Sequence, residues 1–138
     1  MDYTFAPLYV RIIFYALLGI ACAFIFYIFT KKQKKIINIL APVIIITIFA
    51  MACSSFIYHL INPQIKTITC TYQTNERSGN LNPFSSDCVF LHNGEKLYIE
   101  LDALTRKMVV ENNMELKEGA TYTVTYEERE NLILSIKE

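Results

Sequence analysis

From Leu8 to Thr30 the chain carries one charge, Arg11, and from Ile12 to Thr30 it carries none. About 19 uncharged residues rising 1.5 Å each can cross a hydrocarbon layer of roughly 30 Å, so the pattern predicts a membrane-spanning helix over about 8–30. A second uncharged run, Ile36 to Ile61, is longer and rich in isoleucine, with Pro42 near its start. It predicts a second span over about 36–61. Between the runs lie only Lys31-Lys32-Gln33-Lys34-Lys35. So short a connection (31–35) makes the helices antiparallel neighbours. By the tendency of lysine to stay inside, Lys31, Lys32, Lys34 and Lys35 fix the loop in the cytoplasm and both chain ends outside. A cleaved leader fits less well, because Asp2 stands where a basic patch is expected and the apolar run exceeds the usual length of roughly 7–15 residues.

After Asn62-Pro63 the period changes from a continuous apolar run to alternation. Ile68, Cys70 and Tyr72 alternate with Thr67, Thr69 and Thr71, the signature of a half-buried strand over about 65–74. Asn75 to Ser86 is polar, with Gly79 and Pro83, and reads as a loop. Asn93-Gly94 between two alternating runs predicts a tight hairpin that sets Phe90 opposite Leu97 and Cys88 opposite Ile99, with Tyr98 and Glu100 on the other face. Asp102 then caps a short helix with an apolar side at Ala103, Leu104 and Met108. Tyr122, Val124 and Tyr126, then Leu132, Leu134 and Ile136, give a second hairpin closed by residues 127–131. Three strands, a helix and two strands follow the element order of the OB-fold, a partly open five-stranded barrel. A β-sandwich or an open sheet also accommodates them. The fold class is thus an α+β membrane protein in two parts: a helical hairpin over 1–62 and a β-domain over 63–138.

Composition sharpens this division. The chain is 53% hydrophobic, above the usual share of roughly 45–50%, and the excess precedes Asn62. Residues 1–62 hold five basic side chains and one acidic, leaving eight basic and twelve acidic beyond, so a formal net charge of zero conceals halves of +4 and −4. Some 75 residues outside lipid lie near the lower limit for an unaided core. Cys70 and Cys88 fall on inward faces of neighbouring strands in what would be an oxidising compartment. A disulfide between them is therefore expected, worth roughly 3 kcal/mol for its loop length. In the helices, Gly19 and Ala23 of the first and Ala50 and Ser54 of the second are small enough to let the two approach closely, or to support a homo-oligomer. Cys22 and Cys53 lie at different depths, so no bond joins them within one hairpin.

Candidate chemistry is sparse, and no catalytic, cofactor-binding or metal-binding set is assigned. His59 closes the second run beside Tyr58, an ordinary interfacial position. His92 borders the Asn-Gly turn with no nucleophile beside it. Glu127-Glu128 with Glu130 could attract calcium but lacks the spacing of a calcium loop. There is no phosphate-binding glycine loop, and an acidic half offers nucleic acid no basic groove. What remains is a non-enzymatic interaction module in a bacterial cytoplasmic membrane. It would bind lipid through its hairpin and a protein partner through the 75–86 loop, with Asn75, Arg77, Asn80 and Phe84 as contacts. An accessory subunit of a membrane complex and an immunity or exclusion factor both fit. An oligomeric transporter or channel subunit, and a cell-envelope enzyme without a recognisable motif, are the rival classes.

Overall fold

The computed structural model describes residues 2–77, 79 and 83–138. Two compact units emerge: Leu8–Asn62, and Pro63–Glu138 together with Met1–Pro7. The N-terminal segment 1–7, including the first two residues of the first helix, therefore groups with the β unit, which periodicity gave no reason to expect.

The first unit is a pair of helices, α1 (Ala6–Thr30) and α2 (Lys35–Ile61). At 1.5 Å per residue, their 25 and 27 residues make rods of about 38 and 40 Å. Their contacts climb one helix while descending the other. Cys53 Sγ lies 3.7 Å from the Ile12 carbonyl, Tyr15 stacks on Phe56 at 5.3 Å between ring centroids, and Thr30 Oγ1 reaches Asn38 Oδ1 at 3.0 Å. The rods are antiparallel. No side chain of α2 is buried, and large apolar residues such as Ile13, Leu17, Phe29, Ile36, Ile48 and Met51 are more than half exposed. A helix apolar on all sides finds no partner for most of its surface in this unit.

The second unit is a five-strand sheet: β1 (Ile65–Arg77), β2 (Ser85–His92), β3 (Glu95–Asp102), β4 (Thr121–Glu127) and β5 (Leu132–Lys137). Pairing runs β1-β2-β3-β5-β4 and returns from β4 to β1, so the ladder closes on itself. Every junction is antiparallel except β3 with β5, a single parallel pair at Glu100 and Leu132. Inside the ring pack Cys70, Tyr72, Phe90, Ile99, Tyr122 and Val124, with Val109 and Val110 from the segment between β3 and β4. Tyr72 meets Phe90 edge to face at 5.8 Å, and the Tyr122 hydroxyl accepts the Lys117 N–H at 3.0 Å. The core thus combines alternating inward residues with one satisfied phenol.

The Asn-Gly hairpin forms as its chemistry demands. Asn93 and Gly94 both take positive φ, 50° and 82°, and the register pairs Phe90 with Leu97 and Cys88 with Ile99. Three local readings need correction. Strand β1 runs to Arg77 rather than ending near 74, after a register shift between Tyr72 and Thr74 that admits Gln73 as an extra residue. Asp102 does not cap a helix: its Oδ1 accepts the Leu104 N–H at 2.8 Å in a local turn, and α3 is one turn, Arg106–Val109, before Val110 bridges to Ile136. Glu100, grouped with Tyr98 on the outer face, is 3% exposed against 45% for Tyr98. It sits at the β3–β5 joint, where its N–H donates to the Asn131 carbonyl at 2.8 Å.

Candidate functional site

Among the described residues, the candidate side chains are spread over separate elements and not gathered at one point. The polar 75–86 segment is shorter as a loop than its composition suggests. Asn75 pairs with Cys88 and Arg77 with Ser86 inside the β1–β2 ladder. Phe84 lies in a turn, 46% exposed, with its carbonyl accepting the Ala103 N–H at 2.7 Å. Asn80 lies outside the described residues. The structure therefore presents Arg77 and Phe84 at one end of the β1–β2 ladder, with both flanks fixed in strand.

The disulfide between Cys70 and Cys88 is absent; all four cysteines are free. The register explains why. Cys88 pairs with Asn75, four ladder positions beyond Cys70 along β1 once the extra Gln73 is discounted, which at a strand's rise is about 13 Å. A disulfide needs Cα atoms within roughly 7 Å. Sharing an inward face was necessary for a bond, but only the register could have supplied proximity, and it does not. Both thiols are core atoms instead: Cys88 is fully buried and Cys70 nearly so. Burial pushes Cys70 up to about 11 and Cys88 up to about 12. Such thiols are poor nucleophiles at neutral pH.

The turn between the helices carries the four lysines, all exposed: Lys31 and Lys32 in the turn, Lys34 just before α2 and Lys35 as its first residue. Of the small residues, Gly19 is the tightest point, since a Cβ added there would sit 2.7 Å from Phe49 Cβ, and Ala23 is 5% exposed. Ala50 and Ser54 are exposed. Ala16, Gly19, Ala50 and Cys53 line a shallow apolar notch of about 290 Å³. Cys22 borders a different depression, with Phe26 and Ala41.

The histidines and acids resolve into structural parts. His92 Nδ1 lies 2.9 Å from the Thr69 carbonyl, and Nε2 faces Asn93 Nδ2 at 3.2 Å. That arrangement makes Nδ1 the donor and Nε2 the acceptor. His59 packs edge-on against Tyr58 at 6.0 Å. Glu127, placed by the sequence in the turn that closes the second hairpin, is the last residue of β4 and 0% exposed. Its Oε1 accepts the Gln64 N–H at 3.0 Å and its Oε2 the Glu130 N–H at 2.7 Å. Both oxygens thus tie backbone at the start of β1 to the β4–β5 turn. Glu128 pairs with Lys66, and the hydrogen bond to Glu128 raises the Lys66 ammonium above its ordinary value. Among the described residues, no three histidine, cysteine or acidic side chains form a metal-binding group. Sequence alone could not single out Glu127 from Glu128, because the alternation that buries it continues from Tyr122 and Val124 only in a slipped phase, through the shift between Thr125 and Tyr126.

Comparison with family models, with curated proteins and with solved structures finds no match to this chain.

Proposed function

We propose that this chain is a non-enzymatic, membrane-anchored interaction module of a bacterial cytoplasmic membrane. Its helical hairpin spans the lipid with the lysine turn inside, and its β unit, an OB-type barrel, lies outside and docks a protein partner. The observation that carries the reading is the apolar surface of α1 and α2. Two rods longer than roughly 30 Å, joined by a turn holding four exposed lysines and with no side chain of α2 buried, match the length and charge asymmetry of a spanning pair. The closed ring with its helical segment between β3 and β4 supports the OB-type assignment. Arg77 and the half-exposed Phe84 supply an arginine and an aromatic at the same end of the β1–β2 ladder, residue types enriched at protein interfaces.

The test is a photoreactive amino acid placed at Phe84, and separately at Tyr98 as an exposed control, in cells expressing the full chain. The reading expects a discrete cross-linked protein partner at Phe84 that is absent at Tyr98 and diminished by Arg77→Ala. Cross-links to lipid or to other copies of the chain alone would overturn it.

A further inference from the structure

The threonine alternation of β1 and β4 acquires a second meaning once the two strands are paired. Register sets Thr67 opposite Thr125, Thr69 opposite Thr123 and Thr71 opposite Thr121, and β5 adds Ser135 opposite Thr125 and Lys137 opposite Thr123. Three adjacent strands therefore carry hydroxyls in rows on the face opposite the core. Over this grid lies the N-terminal segment, held by the Thr4 N–H donating to the Leu134 carbonyl at 3.2 Å and by Lys137 and Asp2 at 3.6 Å. A depression of about 260 Å³ is lined by the hydroxyl residues Thr67, Thr123, Thr125 and Ser135, with Asp2 and Tyr3 along its wall. A second depression of about 320 Å³ shares Asp2, Tyr3, Ser135 and Lys137 with the first.

Ser135 makes this more than a decorated strand face. It is 6% exposed and lines both depressions, so what is left accessible of it faces a space large enough for a small ligand. Its neighbours Thr67 and Thr125 share one hydrogen bond between their hydroxyls at 2.9 Å, which leaves one of the two protons to donate elsewhere. Hydroxyls give and accept equally, so the row suits a ligand whose own groups do both. Charge is balanced here, because Lys137 and Asp2 offset each other. An anion finds one cation already engaged, and an apolar ligand finds hydroxyls. Each depression is close to the lower end of ligand sites, roughly 300 Å³, room for a single small ring.

We propose that this grid is a binding site for a neutral saccharide, with Ser135 and Thr125 hydrogen-bonding its hydroxyls and the Tyr3 ring forming a wall of the site. The reading goes beyond the protein-docking role and does not depend on which side of a membrane the β unit occupies. The experiment titrates the full chain in lipid nanodiscs with maltotriose and with triacetylchitotriose, following saturation transfer from protein to sugar by NMR. Saturable binding of at least one probe at or below about 10 mM is expected. The Ser135→Ala, Thr125→Val double variant should weaken it by roughly tenfold or more, the loss of two neutral hydrogen bonds, while Tyr98→Ala leaves it unchanged. Protection of Cys70 and Cys88 from maleimide verifies that the double variant remains folded. No saturable binding of either probe, equal binding by the double variant, or equal loss in Tyr98→Ala would overturn the proposal.

Discussion

Replacing Glu127 by alanine removes the acceptor of two backbone N–H groups at once, those of Gln64 and Glu130, at 3.0 and 2.7 Å. Hydrogen bonds to a charged acceptor are worth about 1.5–3 kcal/mol each. Both donors are only partly buried, so water can reclaim some of that, and about 3 kcal/mol for the pair is the expected loss. The chain supplies its own reporter for opening of the β unit: Cys70 is 3% and Cys88 0% exposed, and neither reacts until the ring separates. When reclosing outpaces labelling, the maleimide rate follows the population of the opened form. At a tenfold change per 1.4 kcal/mol, Glu127→Ala in the full chain should speed labelling of both thiols by roughly 100-fold at neutral pH. Glu127→Gln keeps the shape and one acceptor oxygen, so its acceleration should be nearer tenfold. Labelling of the alanine variant within threefold of the parent would refute the role assigned to Glu127, and so would a glutamine variant that opens faster than the alanine one.

Other consequences follow from the same contacts. Because the cysteines are free, dithiothreitol should change neither thermal unfolding nor the mass of the chain. A reductant-sensitive midpoint would restore the disulfide. The two buried thiols sit above the ordinary cysteine value, at about 11 and 12, whereas in the unfolded chain they ionise near 8.5. Their contribution is therefore intact below about pH 8.5 and is lost as pH rises toward the folded values. Urea titrations between pH 8 and 11 should show stability falling, and Cys88→Ala should fall less steeply. Gly19→Ala would force a Cβ to within 2.7 Å of Phe49 Cβ, with an overpacking cost of about 1–3 kcal/mol. Disulfide trapping of a Tyr15→Cys, Phe56→Cys pair should drop in that background, and an unchanged yield would show that the helices do not meet there.

Much of the architecture was legible because periodicity reports directly on which side of an element is wet. The two uninterrupted apolar runs become α1 and α2 within a residue or two of their charge boundaries. The Asn93-Gly94 pair dictates its hairpin because few other dipeptides accept two positive φ angles in sequence. What periodicity leaves open is register between strands distant in sequence. Cys70 and Cys88 each point inward, yet their axial offset appears only when β1 is laid against β2 and Gln73 enters as the extra residue. The same blindness hid the hydroxyl grid. Thr67 and Thr125 lie 58 positions apart, and nothing in either strand says that they face each other. Burial of Glu127 depends on a backbone donor at Gln64, across the whole β unit in sequence. The expected interaction surface shrank for a related reason: polar composition reads as loop, but Asn75 and Arg77 continue β1 because β2 offers them partners.

The central claim is a sidedness, and cysteine labelling in intact cells tests it most directly. A membrane-impermeant maleimide is applied to cells carrying Gln33→Cys, in the exposed lysine turn, or Lys96→Cys, on the exposed start of β3. The account predicts that Lys96→Cys labels at once, while Gln33→Cys labels only after the membrane is permeabilised. Immediate labelling at Gln33 with protection at Lys96 would contradict it.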